Sequence, residues 1–166
     1  SLGSITQLQG VRPDYISGAF DSTNNKVVIA YRDNASTKDG QVFVCTVSGT
    51  SISAGSIVTF DTGGTGGVTD ISTVFDSNAG KIVISYRDPP TNDAAGTSIV
   101  GTVSGTTISF GSKVVFDTTY SYRITSVFDS SSNKIIIAYS DAFVSGSLIV
   151  VGTVSGTAIS FGTPYR

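Results

Sequence analysis

The chain has 166 residues, 39% of them hydrophobic and 13% charged, with a formal net charge of -2. It contains no His, Met, Trp or Glu and a single Cys, which excludes a Ser-His-Asp triad, a Cys-His pair and the common zinc sites. Val and Ile together number 35 and Ser and Thr 47, whereas Leu occurs only at Leu2, Leu8 and Leu148. β-Branched residues lose rotamer freedom in helices and pack well on a pleated surface, so the chain is expected to be all-β.

The charge is too mild and too negative for nucleic-acid binding, which requires clustered Lys and Arg, and the five Lys and five Arg are scattered. No apolar run, the longest lying near Ile135–Ala138, approaches the ~20 residues of a membrane helix, so no membrane insertion is expected. No cofactor motif is present and no cofactor is expected. Cys45 has no partner for an intrachain disulfide, which fits a reducing compartment or an assembly built without disulfides. Ser1 in place of Met reads as a processed or excised start.

Taken in chain order, the sequence states one phrase three times. Ile16-Ser-Gly-Ala-Phe-Asp21 returns as Ile71-Ser-Thr-Val-Phe-Asp76 and as Ile124-Thr-Ser-Val-Phe-Asp129, with the Asp residues 55 and 53 positions apart. Lys26-Val-Val-Ile-Ala-Tyr-Arg-Asp33 is repeated at Lys81–Asp88 and Lys134–Asp141, and Thr46-Val-Ser-Gly-Thr50 at Thr102–Thr106 and Thr153–Thr157. Each unit closes on Ile-Ser-(Ala/Phe)-Gly, at Ile52–Gly55, Ile108–Gly111 and Ile159–Gly162. The chain therefore divides into repeats of about 14–68, 69–122 and 123–166 within one domain, with 1–13 read as an outer strand that completes another unit.

Each unit predicts four short strands. Strand A ends in Phe-Asp, and the following Asp/Asn turn suits residues that bond nearby backbone and tolerate left-handed conformations. Strand B, the Lys-to-Tyr run, is nearly continuous in β-branched residues and is expected to be buried on both faces. Strand C ends in Thr-Val-Ser, and strand D follows the Ser-Gly-Thr turn, for example from Ile108 to Phe116. A four-stranded antiparallel meander repeated every ~50 residues predicts propeller blades, in preference to a β-trefoil or prism, whose units are usually shorter.

Leu2-Gly-Ser-Ile5 matches Ala54-Gly-Ser-Ile57, so the chain opens inside a unit and ends just inside the next strand D. Three blades are too few to close a ring, since propellers have typically ~4–8. Open blade edges would template aggregation. The expectation is a homo-oligomer, with two chains forming a six-bladed ring, unless the chain is three blades of a longer array.

The phrases Phe-Asp-Ser-x-x-Asn-Lys-(Val/Ile)-(Val/Ile)-Ile-Ala-Tyr-Arg-Asp and Val-Gly-Thr-Val-Ser-Gly-Thr-x-Ile-Ser-Phe-Gly resemble a repeat of tail-fibre and other virion-surface proteins of marine phages and viruses. The resemblance runs from Leu2 to Gly162. It implies a non-enzymatic propeller-like module on a virion or extracellular surface, serving host attachment. Ser140 stands where the other units have Arg32 and Arg87, and Cys45 where they have Gly101 and Gly152.

In such an arrangement the B–C and D–A loops share one face. The candidate ligand-binding residues there are Tyr31, Arg32 and Asp33, Tyr86, Arg87 and Asp88, and Tyr139 and Asp141 from strand B. The D–A segments add Arg12, Tyr15, Tyr120, Tyr122 and Arg123. Aromatic rings beside Arg and Asp suit a carbohydrate, whose apolar face stacks while its hydroxyls bond to charged groups. Repeated weak sites would act through avidity. The structural alternative is that Tyr caps the strand while Arg and Asp pair to order the loop. Asp21, Asp76 and Asp129 read as turn caps in preference to calcium ligands, so no metal site is expected. A glycoside hydrolase is disfavoured, because near-identical units offer several equivalent sites instead of one asymmetric, pre-organised one. A purely structural or engineered self-assembling scaffold without a ligand is the other reading.

Overall fold

The computed structural model describes residues 12–34, 37–64, 66–88 and 94–166. The expected opening strand, residues 1–13, lies almost wholly outside the described residues. So do Ala35 and Ser36 of Asn34-Ala-Ser36, which matches the short glycosylation acceptor pattern, a match common by chance.

Fourteen strands and no helix form among the described residues. The first unit holds β1 (Pro13–Asp21), β2 (Lys26–Asp33), β3 (Gly40–Ser48), β4 (Ser51–Ala54) and β5 (Val58–Asp61). The second repeats them as β6 (Thr69–Asp76), β7 (Lys81–Asp88), β8 (Ala95–Ser104), β9 (Thr107–Phe110) and β10 (Val114–Asp117). The third has β11 (Ser121–Asp129), β12 (Lys134–Asp141), β13 (Ser147–Ser155) and β14 (Ala158–Phe161). Each unit is its own antiparallel meander, so the chain makes three separate sheets.

The A–B turns show why the motif Phe-Asp recurs. Asp21 accepts the backbone N–H groups of Thr23 and Asn24, both at 3.0 Å, and Asp76 accepts those of Asn78 and Ala79 at 2.9 Å. Asp129 accepts from the Ser131 and Ser132 hydroxyls at 2.6 Å, which hold its carboxyl down at about 2. The residue before the Lys is left-handed each time, at Asn25, Gly80 and Asn133. These are Asx-type turns in which the side chain does the work of the backbone.

Strand D differs from the sequence expectation. It is not one strand but two halves, β4 and β5 or β9 and β10, each half pairing with strand C of its own unit. Between the halves the Gly55 N–H bonds Val44 O at 2.8 Å and the Gly111 N–H bonds Val100 O at 3.0 Å. Glycine is required there because the next unit comes too close. A β-carbon on Gly55 would run into the carbonyl oxygen of Thr106, and one on Gly111 into that of Thr157.

The three sheets pack face to face. Val28, Ala30, Val42 and Val44 of the first cover Ile82, Ile84, Tyr86 and Ile99 of the second. Val83 and Val100, on the opposite face of the second sheet, cover Ile135, Ile137, Tyr139 and Val150 of the third. The first strands lie side by side along this stack and bond across it. The Ser17 hydroxyl accepts the Thr73 N–H at 2.9 Å, and one unit later the Ser72 hydroxyl accepts the Ser126 N–H at 2.8 Å. One junction is thus built twice from equivalent residues. Burial of strand B on both faces holds for β7, which has a sheet on each side, whereas β12 alternates, because among the described residues no sheet covers the outer face of the third.

Candidate functional site

Strand A begins beside the end of strand B in every unit: Pro13 pairs with Asp33, Thr69 with Arg87 and Ser121 with Asp141. The candidate residues therefore share one end of the sheets. Each strand A also carries a bulge there, with a left-handed residue at Tyr15, Asp70 or Arg123. A left-handed non-glycine costs on the order of 1–3 kcal/mol, and bulges gather where a strand must re-aim a side chain. No glycine marks these positions, so the sequence carries no sign of them.

The bulges aim an array of rings and guanidinium groups along the rim. Arg32 lies over the Tyr15 ring at 4.6 Å and bonds Asp14 at 2.8 Å. Arg87 lies over the Tyr120 ring at 4.8 Å, donates from Nε to the Thr69 hydroxyl at 2.6 Å and stands 3.7 Å from Asp70. Tyr120 meets Tyr122 edge to face at 6.3 Å, and Arg123 covers Tyr122 at 5.4 Å. The Arg123 N–H is held by Asp70 Oδ1 at 2.7 Å. Arg87, Tyr120, Tyr122 and Arg123 thus form one patch across the junction of the second and third units. Arg12 is exposed, and its backbone N–H bonds Asp33 Oδ1 at 3.3 Å. Ser140 leaves the third unit without the guanidinium of its counterparts.

The strand B tyrosines go elsewhere. Tyr31, Tyr86 and Tyr139 are buried, and so are Asp88 and Asp141. Tyr31 donates to Gln41 Oε1 at 2.8 Å, and burial, with the Asp33 charge behind it, pushes its hydroxyl up to about 12. Tyr86 donates to Asp61 Oδ2 at 2.6 Å, and burial together with that carboxylate pushes its pKa far above the ordinary tyrosine value. Asp141 accepts the Phe143 N–H at 2.7 Å and faces the Thr119 hydroxyl, itself 2.7 Å from Asp117. These groups order the rim from beneath.

Asp61 and Lys113 were not singled out by sequence, although Phe60-Asp61 and Phe116-Asp117 recur. The Lys113 ammonium bridges the buried Asp61 and Asp88, 2.9 Å from each. Burial alone would lower the Lys113 pKa, but its bonds to Asp61 and Asp88 prevail and raise it. Burial raises Asp61 above the usual carboxylate range, even with Tyr86 and Lys113 bonded to it. At the next junction Pro164 occupies the repeat position of Lys113, and the Tyr139 hydroxyl, the counterpart of Tyr86's, is buried without a protein partner.

This contrast carries a prediction. Tyr86→Phe should cost about 1–3 kcal/mol, since it removes a charged-acceptor hydrogen bond and leaves Asp61 less well satisfied. Tyr139→Phe should be neutral or stabilising. Urea unfolding of the two variants checks both signs.

No metal-binding group of three or more Cys or Asp residues occurs among the described residues. No family model matches the chain, and no curated protein matches it.

Proposed function

We propose that this chain is a non-enzymatic binding module whose rim recognises carbohydrate weakly and repeatedly, carried on three sheets arranged as propeller blades. The observation that supports it is the Arg87, Tyr120, Tyr122 and Arg123 patch, drawn from two units and held by bulged strands. Tyr120, 40% exposed, offers ring surface to the apolar face of a sugar, and the guanidinium groups offer planar donors to its hydroxyls. Arg32 and Tyr15 make a second, simpler version at the first unit. Residues unlike from unit to unit are not needed to build a repeated fold, which favours a ligand for Tyr120, Tyr122 and Arg123. Resemblance to virion-surface repeats supports a place on a virion or cell surface, where many weak sites add up through avidity.

The burial of Tyr31, Tyr86, Tyr139, Asp88 and Asp141 favours the second reading, a scaffold without ligand, for that part of the rim. A glycan array separates the two. The binding module gives reproducible glycan signals that Tyr120→Ala and Tyr122→Ala reduce about tenfold or more while thermal unfolding stays unchanged. Uniform silence, or signals indifferent to both substitutions, supports the scaffold.

A further inference from the structure

A pair of carboxylates lies at each junction between units, and only one of the two pairs has a cation. At the first junction the Lys113 ammonium bridges Asp61 and Asp88, 2.9 Å from each, and the Tyr86 hydroxyl donates to Asp61. At the second, Asp117 and Asp141 hold the same repeat positions and Pro164 replaces the lysine. Neither carboxylate has an ion-pair partner among the described residues. The Thr119 hydroxyl stands 2.7 Å from Asp117 Oδ1 and 2.7 Å from Asp141 Oδ2. A hydroxyl carries one proton, so it donates to one carboxylate and sets lone pair against lone pair at the other. The Tyr139 side chain is 2% exposed, and its hydroxyl has no hydrogen-bond partner. Burial, and after it the charges of Asp117 and Asp141, raise the pKa of that hydroxyl, so it faces the same pair.

We propose that the second junction binds a calcium ion between Asp117 and Asp141, in the role that the Lys113 ammonium fills at the first. Carboxylate and hydroxyl oxygens are the hard ligands that calcium takes, with water completing its shell, and calcium tolerates an irregular arrangement that magnesium does not. A softer metal would want imidazole or thiolate, but the chain has no His and its single Cys lies in β3 of the first sheet. Two carboxylates call for two positive charges. At the first junction one charge leaves Asp61 above the usual carboxylate range. The ion supplies the charge that the unprotonated Thr119 contact lacks and gives the Tyr139 oxygen a partner. Thr119 and Ser121, whose hydroxyl bonds Asp117 at 2.8 Å, flank Tyr120, so the ion also steadies the segment that carries Tyr120 and Tyr122. The inference rests on the junction and not on carbohydrate binding, so a silent glycan array leaves it standing.

Calorimetric titration and thermal unfolding of the chelator-treated chain test it, with calcium chloride as the probe and potassium chloride of equal ionic strength as the control. The wild type should bind calcium with a Kd of about 0.1–1 mM and gain roughly 3–10 °C in Tm at about 10 mM calcium. Asp117→Asn and Asp141→Asn should each weaken binding tenfold or more and lose most of that gain. Pro164→Lys places an ammonium at the position of Lys113 and should abolish the calcium response while melting above the calcium-free wild type. Pro164 is exposed, so this variant folds even where an Asn variant does not. A wild type that calcium shifts no more than potassium does, or a calcium response that survives Asp141→Asn or Pro164→Lys, overturns the proposal.

Discussion

Gly111→Ala is expected to destabilise the chain by about 3 kcal/mol, the upper end of overpacking costs, because the obstacle is backbone and not a side chain that can turn away. The added methyl would meet the Thr157 carbonyl, so the second and third sheets must part or strand D must shift. Either change opens the cluster around Val83, Val100, Ile135 and Val150. Urea denaturation should show a lower midpoint, and the loss should exceed that of an alanine at an exposed turn.

Lys113→Met is expected to cost about 3 kcal/mol at neutral pH, the low end of what breaking a buried ion pair costs, because the Lys113 side chain is 41% exposed. It leaves Asp61 and Asp88, both buried, without the ammonium between them. The pH dependence gives this a sign. The Lys113 pKa is raised by folding, so its contribution is complete below the ordinary lysine value of ~10.4 and is lost as pH rises through the folded value. In the variant the dominant group is Asp61, whose pKa burial raises. A raised acid favours the folded state below its unfolded pKa of ~3.9, so stability should recover as pH falls towards that value. Thermal unfolding across pH should show the wild type weakening at the alkaline end, and the gap to Lys113→Met narrowing at the acid end.

The strands themselves were legible because their chemistry is local. Lys26–Asp33, Lys81–Asp88 and Lys134–Asp141 are strands from the Lys to the Asp, as their β-branched runs imply, and the Asp/Asn turns close as the side chains dictate. The pairing of strand A starts with strand B ends placed the candidate residues together at one rim. What could not be read depended on neighbours. Ile16 and Ile71 are the same residue at the same repeat position, yet one is exposed and the other buried, because among the described residues only Ile71 packs against another sheet. Repetition shows which residues correspond, not which way they face, so at the end of strand B it left Tyr31, Tyr86 and Tyr139 open to a ligand or to a structural role, and their burial favours the second. The break in strand D at Gly55 and Gly111 follows from an approach between units, and a glycine in a strand is compatible with several causes. The bulges at Tyr15 and Arg123 sit on residues that ordinarily avoid that conformation, whereas Asp70, of a type that tolerates it, also holds the Arg123 N–H in place.

The claim on which the rest stands is that one junction is used between the first and second units, used again between the second and third, and left open beyond the third. Unfolding of Gly55→Ala, Gly111→Ala and Gly162→Ala in urea, at protein concentrations low enough for the chain to be monomeric, measures it directly. The first two should lose comparable stability, about 3 kcal/mol each, while the third stays within ~0.5 kcal/mol of the wild type. Equal losses at all three positions, or none at Gly55 and Gly111, would contradict it.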